Sequence, residues 1–470
     1  MARLLPLLMI YATFCIVWGA FAHWIAPTII AAAYDARIPS ILFKSSLPVE
    51  HHLDMWSLRA GAMQLAAILH LIIVLFIRAI DRKHKALSLS ARVNSRTNVV
   101  LIVFSAAFLA MSILAGIRGD HLAYVAHWKE VLGGRDPWDG PLFYNAYGPL
   151  FQLLAPLLWT SLLANKLLFA FAYVVYVIWL IKVFGTGRGL VALSWAVVIF
   201  WLMNPFPWVE ITYYGHVDVL MALACVAAVH AQMRGKDVFS GTCLAIGVLL
   251  KFLPIVILPF LVFGQRRFRF RLLSCCAVVV ASGFLISVLV WGRSTFWPLS
   301  FAAIRTPVAS IYELLSSVHS PLRLFWDMPN VNWLEKPLLL TAWLGMFAWC
   351  TVRQTGPALS AALAVLVTLL FYRVGYINYQ MVLFFLISYW AVSEWERLKK
   401  HIVLVALLVS YFGLLGILDI LNWLGLEKYS HYSMVFVLLW FLLGCALVAS
   451  LIQFSARTAP DSLDAGLSYY

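Results

Sequence analysis

The sequence predicts an all-α, polytopic integral membrane protein, with about twelve transmembrane helices and further re-entrant or interfacial helices between them. Three observations carry that prediction. Hydrophobic residues make up 63% of the 470 residues and charged residues only 11%, where a soluble domain uses about 25% charged residues. Mean hydropathy is +0.91, and apolar runs of about 20 residues, each enough to cross about 30 Å of hydrocarbon, recur along the chain. The basic residues behind the net charge of +14 gather between those runs, the pattern of cytoplasmic loops. Secreted, cytosolic, disordered and collagen-like chains are excluded. So is a nucleic-acid partner, because no basic stripe alternates with aromatics on a solvated face. Cys15, Cys225, Cys243, Cys275, Cys276, Cys350 and Cys445 all lie in apolar runs without a C-x-x-C. They indicate packing rather than a disulfide framework or a zinc site.

The elements follow in order. Arg3 and Ala20-Phe21-Ala22 imitate a signal peptide, but the apolar run continues to Ile30, so an uncleaved first helix is expected. Gly61 to Ile80 spans next and is followed by Arg82, Lys83, Lys85, Arg92 and Arg96, a cytoplasmic loop by its charge. Residues 1–98 thus form an N-terminal helix pair with a basic loop. The core, residues 99–396, begins with a span from Val99 to Ile117, which delivers the loop 118–148 to the outer side. Pro149 to Trp159 is too short to cross and reads as an interfacial or re-entrant helix. Spans follow at Leu162 to Phe184, Val191 to Met203 and Val217 to Met233. Phe239 to Phe263 has basic flanks at both ends, Arg234 and Lys236 before it and Arg266, Arg267, Arg269 and Arg271 after it. A hairpin entering and leaving on the cytoplasmic side fits those flanks, with Pro254 breaking the helix near a tip that carries Lys251. Leu272 to Trp291 leads to a second outer loop, 292–336. Pro337 to Cys350, Ala358 to Tyr372 and Tyr379 to Trp390 complete the core. Residues 397–470 hold a last pair, Val403 to Leu421 and Met434 to Phe454, and a cytoplasmic tail. No internal repeat is evident.

Polar residues at the mouths of these spans are the candidates for chemistry. Asp120 opens a segment in which Val125, Trp128 and Leu132 share one helical face and Gly133-Gly134 end it, an amphipathic helix on the outer interface. Its carboxylate caps that helix, serves as a general base, or both. His216 and Asp218 lie at the outer start of another span, where an acid faces a cavity or a partner; helix capping is the plainer role for Asp218. No cofactor is required; a divalent ion on Asp120, His121, His216 and Asp218 is a minor reading without diagnostic spacing. Arg305 and Arg373 are outer cations, either solvated or neutralising a phosphate. Lys251 is costly at depth without an anion. The Trp, Tyr and Phe of the outer loops form an aromatic belt or platforms for sugar rings.

Those segments together resemble GT-C membrane glycosyltransferases. Arg118-Gly-Asp120-His-Leu-Ala-Tyr124, Leu132-Gly-Gly-Arg-Asp-Pro-Trp138 and Tyr144-Asn-Ala-Tyr-Gly-Pro-Leu150 are similar to the first outer loop of that superfamily. The likeness is nearest to enzymes using polyprenyl- or dolichyl-phosphate-mannose, bacterial ones and the first mannosyltransferase of GPI-anchor synthesis among them. Asn204-Pro-Phe-Pro with Gly215-His-Val-Asp218, Gly247-Val-Leu-Leu-Lys251-Phe-Leu-Pro254 and Arg373-Val-Gly-Tyr-Ile-Asn-Tyr379-Gln380 match further segments in the same order. The likeness spans about Val99 to Trp390. Relatives often carry D-x-D where this chain has Arg118-Gly-Asp120, which weakens a metal role and leaves Asp120 as the acid.

The resemblance implies a glycosyltransferase that moves a sugar, mannose or a related hexose or pentose, from a polyprenyl-phosphate donor to a hydroxyl of a glycan or glycolipid acceptor, with inversion. Asp120 is then the base, and Lys251, Arg305 and Arg373 receive the donor phosphate. His121, His216, Asp218, Tyr379 and Gln380 line the substrates. The expected location is a bacterial cytoplasmic membrane with the site facing outward, the endoplasmic reticulum being the alternative. A lipid-linked-sugar flippase or transporter is the rival class, but it predicts repeats; a non-catalytic envelope scaffold is a third.

Overall fold

The computed structural model describes residues 5–25, 28, 32, 49–86, 95–118, 120–138, 147–184, 202–264, 267–304, 310–316, 332–423 and 430–456. Its long helices are α1 (Leu5–Ala20), α2 (Val49–Ala86), α3 (Ser95–Leu114), α4 (Asp120–Leu132), α5 (Ala164–Phe184), α6 (Asp218–Met233) and α7 (Asp237–Leu250). They continue as α8 (Phe270–Trp291), α9 (Asn332–Arg353), α10 (Pro357–Phe371), α11 (Gln380–Ser393), α12 (Ile402–Trp423) and α13 (Ser430–Ala456). No strand occurs among the described residues. This is an all-α polytopic membrane protein. Gly61–Arg82, Thr97–Leu114, Ala164–Ile181, Phe270–Ser300 and Met434–Ala456 are long and apolar enough to cross a membrane. Shorter apolar helices make up much of the rest. Most of the expected span Val191 to Met203, the tip of the first outer loop with Asp139, and Arg305 lie outside the described residues.

The chain divides into two compact units. The first comprises Met1–Pro137, Gln152–Leu202 and Glu210–Val217. In it α1 packs on α2, and α2, α3 and α5 pack on one another. Phe108 meets the ring of Tyr173 at 5.1 Å. Polar side chains pin the apolar helices: Gln64 Nε2 donates to the Cys15 carbonyl at 3.2 Å, and His70 bonds Tyr11 and the Ile102 carbonyl. Such bonds matter where no water competes for backbone groups. The amphipathic helix forms over the expected residues. α4 buries Tyr124, Val125 and Trp128 and stops at Gly133-Gly134.

The second unit comprises Trp138–Phe151, Met203–Val209 and Asp218–Tyr470. Its core is α10 and α11, buried along nearly their whole length. Both are apolar on every face, which suits a helix surrounded by others. Ala358, Ser360, Ala361, Ala362 and Ala364 let neighbours approach α10 closely. The expected hairpin is present. Ser240 Oγ at the start of α7 bonds the Ala228 carbonyl late in α6 at 2.8 Å. Lys251 at the end of α7 reaches Asp218 at the start of α6. A 3₁₀ turn (Leu253–Ile257) and a short helix (Leu258–Val262) then carry the chain back, so that Leu261 O accepts from Gln232 Nε2 at 2.8 Å.

The reversal occurs at Lys251 itself rather than at Pro254. Lys251 is extended, with φ −164° and ψ 141°, and pairs antiparallel with Tyr147. The Leu250 carbonyl, which would extend the helical ladder, accepts from Gly148 N at 2.9 Å. Gly148 permits that approach, because a Cβ there would collide with the Leu249 backbone.

Candidate active site

The first cluster centres on the start of α4. Asp120, its first residue, is exposed, with 55% of its side chain accessible. Asp120 Oδ2 lies 3.0 Å from Nε2 of buried His216, whose Nδ1 lies 2.6 Å from Oε2 of Glu210. Glu210 is buried in a one-turn π-helix (Trp208–Tyr213), and its carbonyl also accepts the His216 amide at 3.1 Å. Carboxylates accept only, so a ring facing one through each nitrogen donates from both and is an imidazolium. Burial opposes that charge, but Glu210 and Asp120 outweigh burial and push His216 up to about 10.

The neighbours hold this arrangement. Gly215 takes φ +70°, and a Cβ there would lie 3.2 Å from the ring of His121. His121 Nε2 donates to the Leu162 carbonyl at 3.0 Å, which leaves Nδ1 as an acceptor. Burial, with Lys166 and His216 nearby, drives His121 down to about 3, so it stays neutral. Lys166 is fully buried and ties the Gly116 and Tyr213 carbonyls together, each at 2.8 Å.

The second cluster centres on the reversal at Lys251. Lys251 Nζ bonds Asp218 Oδ1 at 2.7 Å, both side chains being almost wholly buried. Asp218 Oδ2 accepts from Asn378 Nδ2 at 3.3 Å. The ammonium sits 4.0 Å from the ring centre of Tyr379 and 4.9 Å from that of Tyr147, within cation–π range. Gln380 is buried and accepts from the Tyr411 hydroxyl at 3.0 Å, while its Nε2 has no hydrogen-bond partner. Arg373 is paired with Glu335, whose Oε2 lies 2.6 Å from its Nε.

The expected residues therefore fall into two sets. Asp120 joins His216 in the first unit, and Lys251 joins Asp218 and Tyr379 in the second. His121 supports the first set with its ring turned to Leu162, Arg373 is ion-paired, and Arg305 lies outside the described residues. Among the described residues no three His, Cys, Asp or Glu side chains gather as metal ligands.

Glu210, Lys166 and Glu335 escape the sequence reading, and Tyr147 and Asn378 fall within its motifs without a role of their own. Glu210 and Lys166 carried a usable signal, since each is a charge set in an apolar run.

Comparison with known proteins adds the chemistry. Residues 145–374 match the model of glycosyltransferase family 87. No curated protein matches the chain. That match supports a membrane glycosyltransferase, with a sugar donor and an acceptor as its partners. The matched segment contains Glu210, His216, Asp218, Lys251 and Arg373, while Asp120 precedes it and Asn378, Tyr379 and Gln380 follow it.

Proposed function

We propose that this protein transfers a sugar, mannose or a related hexose or pentose, from a polyprenyl-phosphate carrier to a hydroxyl of a glycan or glycolipid. Asp120 takes the hydroxyl proton as the oxygen attacks the anomeric carbon. The bond from that carbon to the phosphate oxygen breaks, and its electron pair leaves with the polyprenyl phosphate. Attack opposite the leaving group inverts the centre. Lys251 is the cation we assign to the phosphate, because a compact charge on a flexible stem can follow a group that departs. Arg373, spent on Glu335, is the weaker candidate. Tyr147 and Tyr379 offer ring faces beside that charge. A bacterial cytoplasmic membrane with the site outward fits the basic loops, which mark the cytoplasmic side.

The observation that carries the reading is the exposed Asp120 carboxylate backed by buried His216. The carrier lipid and the family likeness to mannosyltransferases rest on the sequence motifs. The test uses purified protein and synthetic polyprenyl-phosphate-mannose. Asp120→Asn caps a helix about as well as Asp, so it should leave the melting temperature unchanged and cut transfer at least 100-fold, within the usual 10²- to 10⁴-fold worth of a general base. Transfer within about threefold of the unmodified protein would remove Asp120 from that role.

A further inference from the structure

Glu210 is the least expected member of the first cluster. It sits fully desolvated in an apolar π-turn, with its side-chain carboxylate on His216 Nδ1 and its main-chain carbonyl on the His216 amide. A carboxylate buried there is costly unless its partner carries charge. We infer that Glu210 and His216 are positioning residues for the base: Glu210 keeps the His216 ring protonated on both nitrogens, and the ring holds the exposed Asp120 carboxylate in its attacking orientation. The inference rests on the reading of Asp120 as base.

The charge count explains why Glu210 is needed. A buried imidazolium facing Asp120 alone would leave its Nδ1–H without an acceptor. Glu210 supplies that acceptor and a second negative charge, so the ring is satisfied on both nitrogens. Without Glu210, buried His216 would lose a proton more readily. The neutral ring then has one N–H for two faces, and the tautomer protonated on Nδ1 turns a lone pair toward Asp120. The other charged or titratable groups around the ring do not replace Glu210. His121 is neutral, Tyr214 stacks on the ring at 5.6 Å, and Lys166 is committed to two carbonyls.

The experiment measures kcat and donor KM for Glu210→Gln, His216→Gln and Asp120→Asn in the full-length protein, with synthetic polyprenyl-phosphate-mannose. A base displaced by about 1 Å loses roughly 100-fold. Glu210→Gln and His216→Gln should therefore lower kcat roughly 10- to 100-fold with donor KM unchanged, and Glu210→Asp should recover part of that loss. If Asp120→Asn is inactive while both glutamine variants keep kcat, or change KM alone, the positioning role is wrong and the base survives. If Asp120→Asn stays active, the base reading itself falls. A variant that misfolds is replaced by a measurement on the unmodified protein. Histidine-selective ¹⁵N labelling at pH 8 should show His216 with both ring nitrogens protonated, and a neutral ring would overturn the inference.

Discussion

At the scale of single residues, both clusters consist of buried charge held by an opposite charge. Lys251 and Asp218 are the sharpest case, because removing one partner of a buried pair strands the other and costs about 3–5 kcal/mol. A Lys251→Met variant alone would therefore mix folding with function. Lys251→Met should lower the melting temperature, and adding Asp218→Asn should restore it by removing the stranded carboxylate. Transfer should remain slow and donor KM high in the double variant if Lys251 meets the phosphate. Full turnover in the double variant would make the lysine a structural counter-ion. That Lys251 would find an anion was legible in the sequence, because a lysine at depth needs one. Glu210 was not. Its partner is fixed by one π-turn that places residues 210 and 216 face to face, and no hydropathy pattern encodes that turn.

At the scale of elements, what the sequence showed clearly was periodicity and punctuation. α4 begins at Asp120 and ends before Gly133-Gly134 because an acid favours the first turn and glycines release the last. Asn204 likewise caps its short helix, taking the Phe206 amide at 3.0 Å with Pro205 at the first turn. The point of reversal after α7 was less clear, because proline is the visible breaker whereas a distant glycine makes the break. Gly148 brings Tyr147 alongside Lys251, and its N–H takes the Leu250 carbonyl. Gly148→Ala puts a methyl against the Leu249 backbone, which cannot swing aside as a side chain would. It should cost about 1–3 kcal/mol, the usual range for overpacking a tight site, and should lower transfer by moving Lys251. Gly345→Ala, in α9 with nothing within 4 Å of its Cβ position, is the control and should leave the melting curve unchanged or slightly higher. Equal losses in both variants would remove Gly148 from this role.

At the scale of the whole molecule, threading through the membrane decides which end of the α6–α7 hairpin meets which compartment. The ladder Lys251–Asp218, Ser240–Ala228 and Gln232–Leu261 puts both ends of the hairpin beside the second half of α6, and its tip beside the first turn. Arg234 and Lys236 flank one end and Arg267, Arg269 and Arg271 the other, so the positive-inside rule predicts both on the cytoplasmic side. Tyr379 and Asn378 touch Lys251 and Asp218 at the tip, which places the short link between α10 and α11 at the opposite end of α6. Single cysteines at Lys236, Phe268 and Tyr376, all exposed, should divide accordingly on a cysteine-free background in sealed inside-out and right-side-out vesicles. A membrane-impermeant maleimide should reach positions 236 and 268 only in inside-out vesicles and position 376 only in right-side-out ones. Labelling of 236 and 268 from opposite sides would mean that the segment crosses the membrane once and that the ladder is not the arrangement in the bilayer. Labelling of all three with the sides exchanged would keep the hairpin and invert the orientation, moving the Lys251 cluster to the cytoplasmic face.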